Sequence, residues 1–560
     1  MTTPLATQRQ SSLRSRRCGT ALAFVAVAVL SIEGLAACRR ADAQNTKAEP
    51  SAAASGPGLS SASAGPVDSS GVPVYEEGAE PPIVALSGKS GKRDKPQTSS
   101  KRIGALAMLT EIRQNPSPTA RLLGYLRAGG TAEVGDAPAG REGCPGGWYR
   151  IQPFGFVCNG STATLDMNHD VIKALSRRPD TEATLPYMYG IVRKPGPIYA
   201  VLPTREQAQG TESNLAKHLD KWLHSDDENG AGFRADYWLR WKDPSKVPSP
   251  LEAWEQKRTD DLPPFLQLGK FFPGNLSGLV KDKSTIAVGQ AKHHNGFAIF
   301  DTLLAEGRRY AITTELVAVP VDRLRPIEGS RFHGYQIPEE IDFPFALIRV
   351  EGVWGFKSEK GKLVKAKELP RRSAVKLTGK QNFFNGKLHF ETADGLWVLD
   401  REASRLDPAK RMPAWGKNGE RWMDINVTKQ TLVAYEGTKP VFATLVSTGE
   451  AGLGDPEKTK STKRGIFRIH TKHISATMNS DVTGEEFELQ DIPYVQYFES
   501  GYALHAAYWH DDFGKPRSHG CINLAPEDAR RLFFWTEPKV PPGWHSVLRP
   551  LTGSVLFVHP

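Results

Sequence analysis

The sequence lacks any basic stretch with interleaved aromatic residues, which argues against a nucleic-acid-binding surface. Lys and Arg nevertheless outnumber Asp and Glu, 72 to 62, and the net charge is +10. This excess suits a polyanionic neighbour, or it simply solvates the surface. Methionine is also scarce, whereas the chain has 52 Gly, 41 Pro and many short aromatic or β-branched runs. We therefore predict a mainly β protein with two to four domains.

Large apolar residues are nearly absent between Arg39 and about Ser100. Such a segment cannot bury enough surface to offset the entropy lost on ordering it. We therefore predict that residues 38–102 are a disordered linker rich in Ala, Ser, Gly and Pro.

The N-terminal leader has the pattern of an export signal. Four arginines precede an apolar run from Thr20 to Ser31. The sequence Leu35-Ala36-Ala37-Cys38 then resembles the bacterial lipobox, which implies lipidation of Cys38 and a lipid anchor in a membrane. An ordinary signal peptide and an uncleaved anchor are the alternatives. We expect residues 1–37 to direct export to the periplasm or cell envelope.

Cysteine is rare, with five residues in the chain. Cys18 and Cys38 lie in the leader, and Cys144 and Cys158 bracket a hairpin. In an oxidising compartment the latter pair would form a disulfide worth about 3 kcal/mol, the alternative being two buried thiols. Cys521 is then left without a partner, and an odd cysteine in an exported protein is a candidate reactive thiol.

Cys521 lies in a segment, His505 to Asn523, that also contains three histidines. Only the thiolate attacks a carbonyl carbon, and a free Cys is only ~3% ionised at pH 7, so a thiol nucleophile needs a neighbouring base. Histidine supplies that base in the right pH range. Gly520 directly precedes Cys521 and lets a substrate carbonyl approach the backbone. This pattern predicts an acyl-transfer enzyme with Cys521 as the nucleophile.

His505 followed by the string Ser518-His519-Gly520-Cys521-Ile522-Asn523 resembles the signature of the L,D-transpeptidase (YkuD) catalytic domain of bacterial cell-wall enzymes. The resemblance extends over residues 418–560 and implies a β-sandwich with a short helix after the Cys loop. One departure from the family is Lys463, which stands where a Pro usually precedes Arg464-Gly465.

The resemblance also implies a role for each residue of the site. His505 would be the general base and Cys521 the nucleophile, with the backbone carbonyl of Ala506 orienting the imidazole. Backbone N–H groups of His519, Gly520 and Cys521 would form the oxyanion hole. Substrate and loop would be positioned by three further residues, Arg517, Ser518 and Asn523.

By the same resemblance, the substrate is a tetrapeptide stem of peptidoglycan. Cys521 would form a thioester with its third residue and expel the terminal D-Ala, and an amine of a neighbouring stem would complete a 3→3 cross-link. Water as acceptor would make a carboxypeptidase, and a protein amine would make an enzyme that attaches protein to the wall. No cofactor is implied, and a monomer is expected.

Other interpretations of the cysteine region come from different classes of protein. His505, His510, His519 and Cys521 are all legitimate zinc ligands, although their spacing is irregular and no metal site is predicted. Cys521 is otherwise a buried structural thiol. A non-catalytic lipoprotein that binds the wall through its N-terminal modules is the remaining alternative.

The region before the catalytic domain is predicted to contain small β modules. Short strands around the Trp148 hairpin resemble a bacterial SH3-like barrel over residues 103–165. Residues 166–417 form a β-rich middle region with an amphipathic helix predicted from Asn214 to Leu223.

Two segments of the middle region, beginning at Gly307 and Gly386, share the order aromatic strand, Thr turn and apolar strand. They are interpreted as degenerate SH3-like repeats or as ordinary hairpins. Its histidines, His293, His294 and His333, are taken as surface or packing residues.

Overall fold

The computed structural model describes residues 101–176, 179–223, 266–480 and 486–560. The predicted signal, the lipidation site Cys38 and nearly all of the predicted linker lie outside these residues. Within them no helix has the length and apolar character needed to cross a bilayer. The fold is mainly β, as predicted, and its strands form several sheets.

The first module contains a separate three-stranded sheet and four strands at one end of a sixteen-stranded sheet, and together they enclose one apolar core. Cys144 and Cys158 form a disulfide across its hairpin. Trp544, from near the C-terminus, completes the core and is only 2% exposed. Its strands are β1 (Arg102–Ala105), β2 (Thr110–Arg113), β3 (Leu122–Leu126), β4 (Thr131–Glu133), β5 (Trp148–Arg150), β6 (Phe156–Cys158) and β7 (Ala163–Thr164).

A second group of strands follows, with three helices around it. One helix begins at a capping box, in which Thr204 Oγ1 accepts from Gln207 N and Gln207 Oε1 accepts from Thr204 N. The predicted amphipathic helix is present as Leu215–Leu223. The elements are α1 (Asp170–Ala174), β8 (Met188–Val192), β9 (Gly196–Tyr199), α2 (Arg205–Thr211), α3 (Leu215–Leu223), β10 (Ala287–Ala291), β11 (Asn295–Ala305), β12 (Arg308–Thr313), β13 (Ala318–Pro320) and β14 (Leu324–Ile327).

A third group of strands contains two long, exposed hairpins. The elements are β15 (Tyr335–Gln336), β16 (Phe345–Ile348), β17 (Val353–Glu359), β18 (Lys362–Leu369), β19 (Ala374–Phe384), β20 (Lys387–Thr392), β21 (Trp397–Leu399), β22 (Ala403–Leu406) and α4 (Ala414–Lys417).

The two segments that resemble each other in sequence have the same local structure. β12, β13, a 3₁₀ turn at Val321–Arg323 and β14 match β20, β21, a 3₁₀ turn at Asp400–Glu402 and β22 in order and in length. The two segments therefore share the order and the lengths of their elements. Their assignment as SH3-like remains a prediction.

The C-terminal region is a two-sheet sandwich. One sheet has the order β15-β25-β24-β23-β32-β26, and in the other β28 pairs with β27 and β29 and β29 pairs with β30. The apolar core lies between them. The elements are β23 (Arg421–Asn426), β24 (Thr431–Glu436), β25 (Lys439–Leu445), β26 (Gly465–Arg468), β27 (Thr471–Ser480), β28 (Phe487–Glu499), β29 (Tyr502–Ala506), β30 (Ile522–Leu524), α5 (Pro526–Trp535), β31 (Ser546–Leu548) and β32 (Val555–His559).

Helix α5 follows the Cys loop, as predicted. Pro526 occupies its first turn, where no backbone N–H is needed, and acidic residues there suit the positive end of the helix dipole. At the other end Lys472 Nζ donates to the carbonyl oxygen of Phe533 and, at 3.1 Å, to that of Thr536. The helix packs against β28 and β29, and Lys472 binds the carbonyl groups at its C-terminal end. Phe534, which follows the buried Phe533 on this helix, is 43% exposed.

The sheet that contains β27 to β31, named the catalytic sheet after the predicted catalytic domain, continues into both neighbouring groups of strands. β31 pairs with β3 of the first module, and β28 pairs in parallel with β11 of the second group. A Cβ on Gly124 of β3 would lie 2.2 Å from the carbonyl oxygen of Ser546, so this junction requires glycine. The catalytic sheet is therefore joined to its neighbours by backbone hydrogen bonds.

Candidate active site

The parallel pair β29–β30 brings the predicted base and nucleophile to the same part of the fold. His505 pairs with Asn523 and Leu504 with Ile522, so Cys521 lies immediately before the start of β30. Both strands are almost wholly buried, as expected of a parallel pair. Cys521 is 5% exposed and is the one free cysteine within the described residues. It lines a cavity of about 640 Å³ together with His505.

His505 is a buried, neutral imidazole. Its Nδ1 lies 3.2 Å from the carbonyl oxygen of Ala506, the arrangement expected if this carbonyl orients the ring. A hydrogen on Nδ1 leaves Nε2 unprotonated and able to accept a proton. Burial lowers the pKa of His505 to about 4, although the hydrogen bond to Ala506 opposes the shift. The Trp509 ring, with centroids 5.7 Å apart, covers the imidazole.

The Cys loop depends on a glycine at position 520. Gly520 has φ +131°, and a Cβ there would lie 2.7 Å from Cε1 of Tyr502. Ser518 Oγ accepts the Gly520 N–H at 3.1 Å and donates to the carbonyl oxygen of Cys521, while Thr462 Oγ1 donates to the Gly520 carbonyl at 2.7 Å. Ser518 therefore shapes the loop. The Gly520 N–H, predicted for the oxyanion hole, is bound to Ser518 in this structure.

Asn523 and His510 support the loop from behind. The Asn523 amide nitrogen lies 2.9 Å from His510 Nε2, and His510 Nδ1 accepts the Asp512 N–H at 3.2 Å. Burial and the charge of Arg517 lower the pKa of His510 to about 3. In this neutral imidazole Nδ1 is the acceptor, so Nε2 carries the ring hydrogen and faces the side-chain amide of Asn523.

Arg517 and His519 line the cavity on either side of Ser518. The Arg517 side chain is 48% exposed and forms an ion pair of 2.6 Å with Asp512. Its backbone N–H donates to Thr448 O at 2.8 Å, which fixes the loop on the strand connection beyond β25. The His519 ring stacks on Phe487 with centroids 5.5 Å apart.

The middle region contributes a wall of the same cavity through Ile191, His294 and Arg325. None of the three was identified from the sequence, and His294 was taken as a surface or packing residue. Their local sequences contain no catalytic motif. Only the pairing of β11 with β28, between residues nearly two hundred positions apart, brings them here.

Within the part of the chain that the structure describes, the four residues considered as zinc ligands do not form a group of three or more potential metal ligands. His510 is bound to Asn523, and His505 to the Ala506 carbonyl.

Residues 420–543, which contain this cavity's cysteine and histidines, match the family model YkuD, the L,D-transpeptidase catalytic domain. These residues form a YkuD domain. No curated protein matches the chain.

Solved structures of L,D-transpeptidases are similar to a part of this chain. The enzyme from Xylanimonas cellulosilytica is 19% identical with a TM-score of 0.20, and the match covers 28% of this chain and 64% of that one. The Stackebrandtia nassauensis enzyme is 27% identical with a TM-score of 0.18, covering 28% and 58%. The E. faecium catalytic domain is 21% identical with a TM-score of 0.20, and the match covers 25% of this chain and 98% of that one. The chain thus spans less than two thirds of the first two proteins.

Proposed function

We propose that the protein is an L,D-transpeptidase that forms 3→3 cross-links between peptidoglycan stem peptides through a Cys521 thioester. The observation that carries this proposal is the register of β29 and β30, which sets His505 beside the Cys521 loop on one cavity. The match of residues 420–543 to the YkuD model supports the same reaction class.

In the proposed acylation step, Nε2 of His505 accepts the thiol proton as Cys521 attacks the carbonyl of the third stem residue. The tetrahedral intermediate collapses, the bond to the terminal D-Ala breaks, and the leaving amine takes the proton from His505. The product is a thioester on Cys521. His505 performs this role only as the neutral imidazole, which the buried site favours at pH 7.

In the deacylation step, the amine of a second stem attacks the thioester carbonyl. His505 accepts a proton from the amine, the new amide bond forms, and the sulfur leaves and is reprotonated. The oxyanion of both steps requires backbone donors from His519, Gly520 or Cys521. For Gly520 to serve, its N–H must exchange Ser518 Oγ for the oxyanion.

The test is incubation of the protein with disaccharide-tetrapeptides, followed by mass spectrometry of the muropeptides. The expected result is release of D-Ala together with a cross-linked dimer, both abolished in Cys521→Ser and strongly reduced in His505→Gln. His293→Gln is the matched control, because His293 is exposed and does not line the cavity. Unchanged muropeptides with a folded wild-type protein would contradict the proposal.

The acceptor is decided in the same experiment. D-Ala release without a dimer would identify water as the acceptor, and stem peptide attached to a protein amine would identify an attachment enzyme. A carbapenem gives an independent assay, since a covalent adduct on the Cys521 peptide requires only the first step.

We also propose that the protein is exported and anchored to a membrane through a lipid on Cys38. The leader composition and the lipobox-like sequence before Cys38 support this location. Incorporation of labelled fatty acid in cells, lost in Cys38→Ser, is the expected result. Export without labelling would leave an ordinary signal peptide instead.

A further inference from the structure

A row of in-register residues crosses four neighbouring strands between the middle region and the catalytic sheet. Arg325 on β14 pairs with Ile191 on β8, Ile191 with Gly296 on β11, and Gly296 with Leu489 on β28. Directly paired residues project their side chains to the same face of a sheet. Arg325, Ile191 and Leu489 all line the Cys521 cavity, so this row forms one of its walls.

Gly296 is the member of the row that has no side chain. A Cβ at this position would lie 2.7 Å from Tyr508 Oη and 2.8 Å from Leu489 Cδ2. The wall is therefore closely packed next to the catalytic sheet, and its charged end is Arg325.

The row is about as long as a short extended peptide. Its four strands are separated by three spacings of about 4.8 Å, so Arg325 lies roughly 14 Å from Leu489 along the sheet. An extended peptide covers about 3.3–3.6 Å per residue, so this distance corresponds to about four residues.

Two arginines, Arg325 and Arg517, and two glutamates, Glu450 and Glu486, line the cavity. Arg517 is opposed by Asp512 at 2.6 Å, and Glu450 is paired with Lys460 at 2.8 Å. Arg325 is the cationic residue that the middle region brings to this cavity.

We propose that Arg325 forms a carboxylate-binding subsite, through which the middle region recognises an anionic group of the donor peptide. The inference rests on the proposed function for the identity of the donor. A guanidinium suits this task because its planar fork binds both carboxylate oxygens, which a lysine ammonium does not do. Arg325 is a specificity residue here, since it lies on the wall of the cavity that the middle region forms.

The direct test compares Arg325→Gln and Arg325→Lys with the wild type on donor tetrapeptides that are either fully acidic or amidated at one carboxylate at a time. For the acidic donor we expect Arg325→Gln to raise KM about tenfold or more and to change kcat little. Amidating the recognised carboxylate should remove the difference between variant and wild type, and Arg325→Lys should restore part of the affinity. Equal KM effects on every donor would overturn the proposal.

Arg331→Gln is the matched control. Arg331 belongs to the same region, but its side chain is 71% exposed and does not line the cavity. We expect this variant to behave as the wild type with all donors. A comparable rise in KM in the control would show that general surface charge, and no subsite, is responsible.

A second measurement separates failure of the subsite from failure of the proposed function. Alkylation of Cys521 by iodoacetate and by iodoacetamide is followed by peptide mapping of the full chain, which needs no substrate. An Arg325 charge that faces the cavity attracts iodoacetate, which is anionic, but not the neutral iodoacetamide. The rate with iodoacetate divided by the rate with iodoacetamide should therefore fall severalfold in Arg325→Gln and stay unchanged in Arg331→Gln. A falling ratio with no muropeptide activity would retain the anion subsite and reject the transpeptidase. An unchanged ratio would reject the subsite even if the enzyme is active.

Discussion

Arg127 and Asp491 form a buried ion pair, with 2.5 Å between Nη2 and Oδ2, that joins the first module to strand β28 of the catalytic sheet. Asp491 also accepts hydrogen bonds from Ser475 Oγ at 2.8 Å and from Thr314 Oγ1 of the middle region. One carboxylate therefore connects three parts of the chain, beside strand positions that line the active-site cavity.

Loss of Arg127 is expected to destabilise the whole fold. Arg127→Met leaves the Asp491 charge buried without its ion-pair partner, which typically costs about 3–5 kcal/mol of unfolding free energy. Urea denaturation measures the change. Glu133→Ala, which breaks the exposed pair with Arg102, is the control and should cost no more than about 1 kcal/mol. Similar losses in the two variants would contradict a structural role for the junction.

The pH dependence of the reaction should report the burial of His505. Its pKa is lowered to about 4, and only the neutral ring accepts the thiol proton, so kcat/KM should fall only as the pH drops below about 5. Trp509→Ala lets water reach the ring, which should raise the pKa towards 6.5 and move the acidic limb to higher pH.

Trp354→Ala controls for the loss of a tryptophan elsewhere in the chain, in strand β17. Its acidic limb should coincide with that of the wild type. A wild-type limb centred near pH 6.5 would be incompatible with a buried, desolvated base.

Because of Asp528, the free energy of unfolding should fall as the pH rises. A salt-bridged carboxylate has the opposite effect. Burial raises its pKa to about 7, against hydrogen bonds from Thr444 Oγ1 and Gly334 N. The folded pKa lies above the ordinary value of 3.8, so the folded state holds a proton that the unfolded state releases between these values. The stabilisation by this group is complete below about pH 4 and is lost as the pH rises through 7.

Asp528→Asn removes that dependence and keeps an amide oxygen for the Gly334 N–H. Its unfolding free energy should exceed that of the wild type at pH 8, by up to about 4 kcal/mol, and the difference should shrink towards pH 4. Denaturation curves at the two pH values give the comparison. A difference that does not change with pH would show that Asp528 is ionised in the fold at both.

Gly520→Ala should inactivate the enzyme with a smaller effect on folding. The φ of +131° is strained for alanine and the new Cβ meets Tyr502, so the Cys loop must shift. We expect the rate of carbapenem acylation to fall about a hundredfold, because small misplacements of reacting atoms have effects of that size.

Gly361→Ala is the control for this prediction. It also has a positive φ, +78°, but a Cβ there meets no atom within 4 Å. Its acylation rate should equal that of the wild type. Retained activity in Gly520→Ala would mean that the loop does not need its glycine.

The match of residues 420–543 to the YkuD model and the helix after the Cys loop confirm two predictions that were made from local features of the sequence. The string from Ser518 to Asn523 is contiguous, and Pro526 with the acidic residues after it marks a helix start wherever the chain folds. The length of the turn between β24 and β25 was harder to predict from the sequence. Glu436 pairs with Lys439, which leaves a two-residue turn in which Gly437 has φ +60°, and the residues from Glu436 to Pro440 do not by themselves fix that length.

Long-range pairing could not be predicted. The contacts of β3 with β31 and of β11 with β28 join strands separated by hundreds of residues, and short strands contain no signal for such a partner. For that reason Arg325 and His294 had no visible connection with Cys521 in the sequence. The similarity of the segments beginning at Gly307 and Gly386, by contrast, was visible because each segment is a contiguous run of residues.

The shared sheet limits how this protein can be divided or recombined. A fragment containing only residues 418–560 would expose the edges of β28 and β31 that now pair with other parts of the chain, and such open edges promote aggregation. It would also lose one side of its cavity. Chimaeras with other catalytic domains should therefore exchange the first module, the middle region and the catalytic domain together, because β31 pairs with the first module and β28 with the middle region.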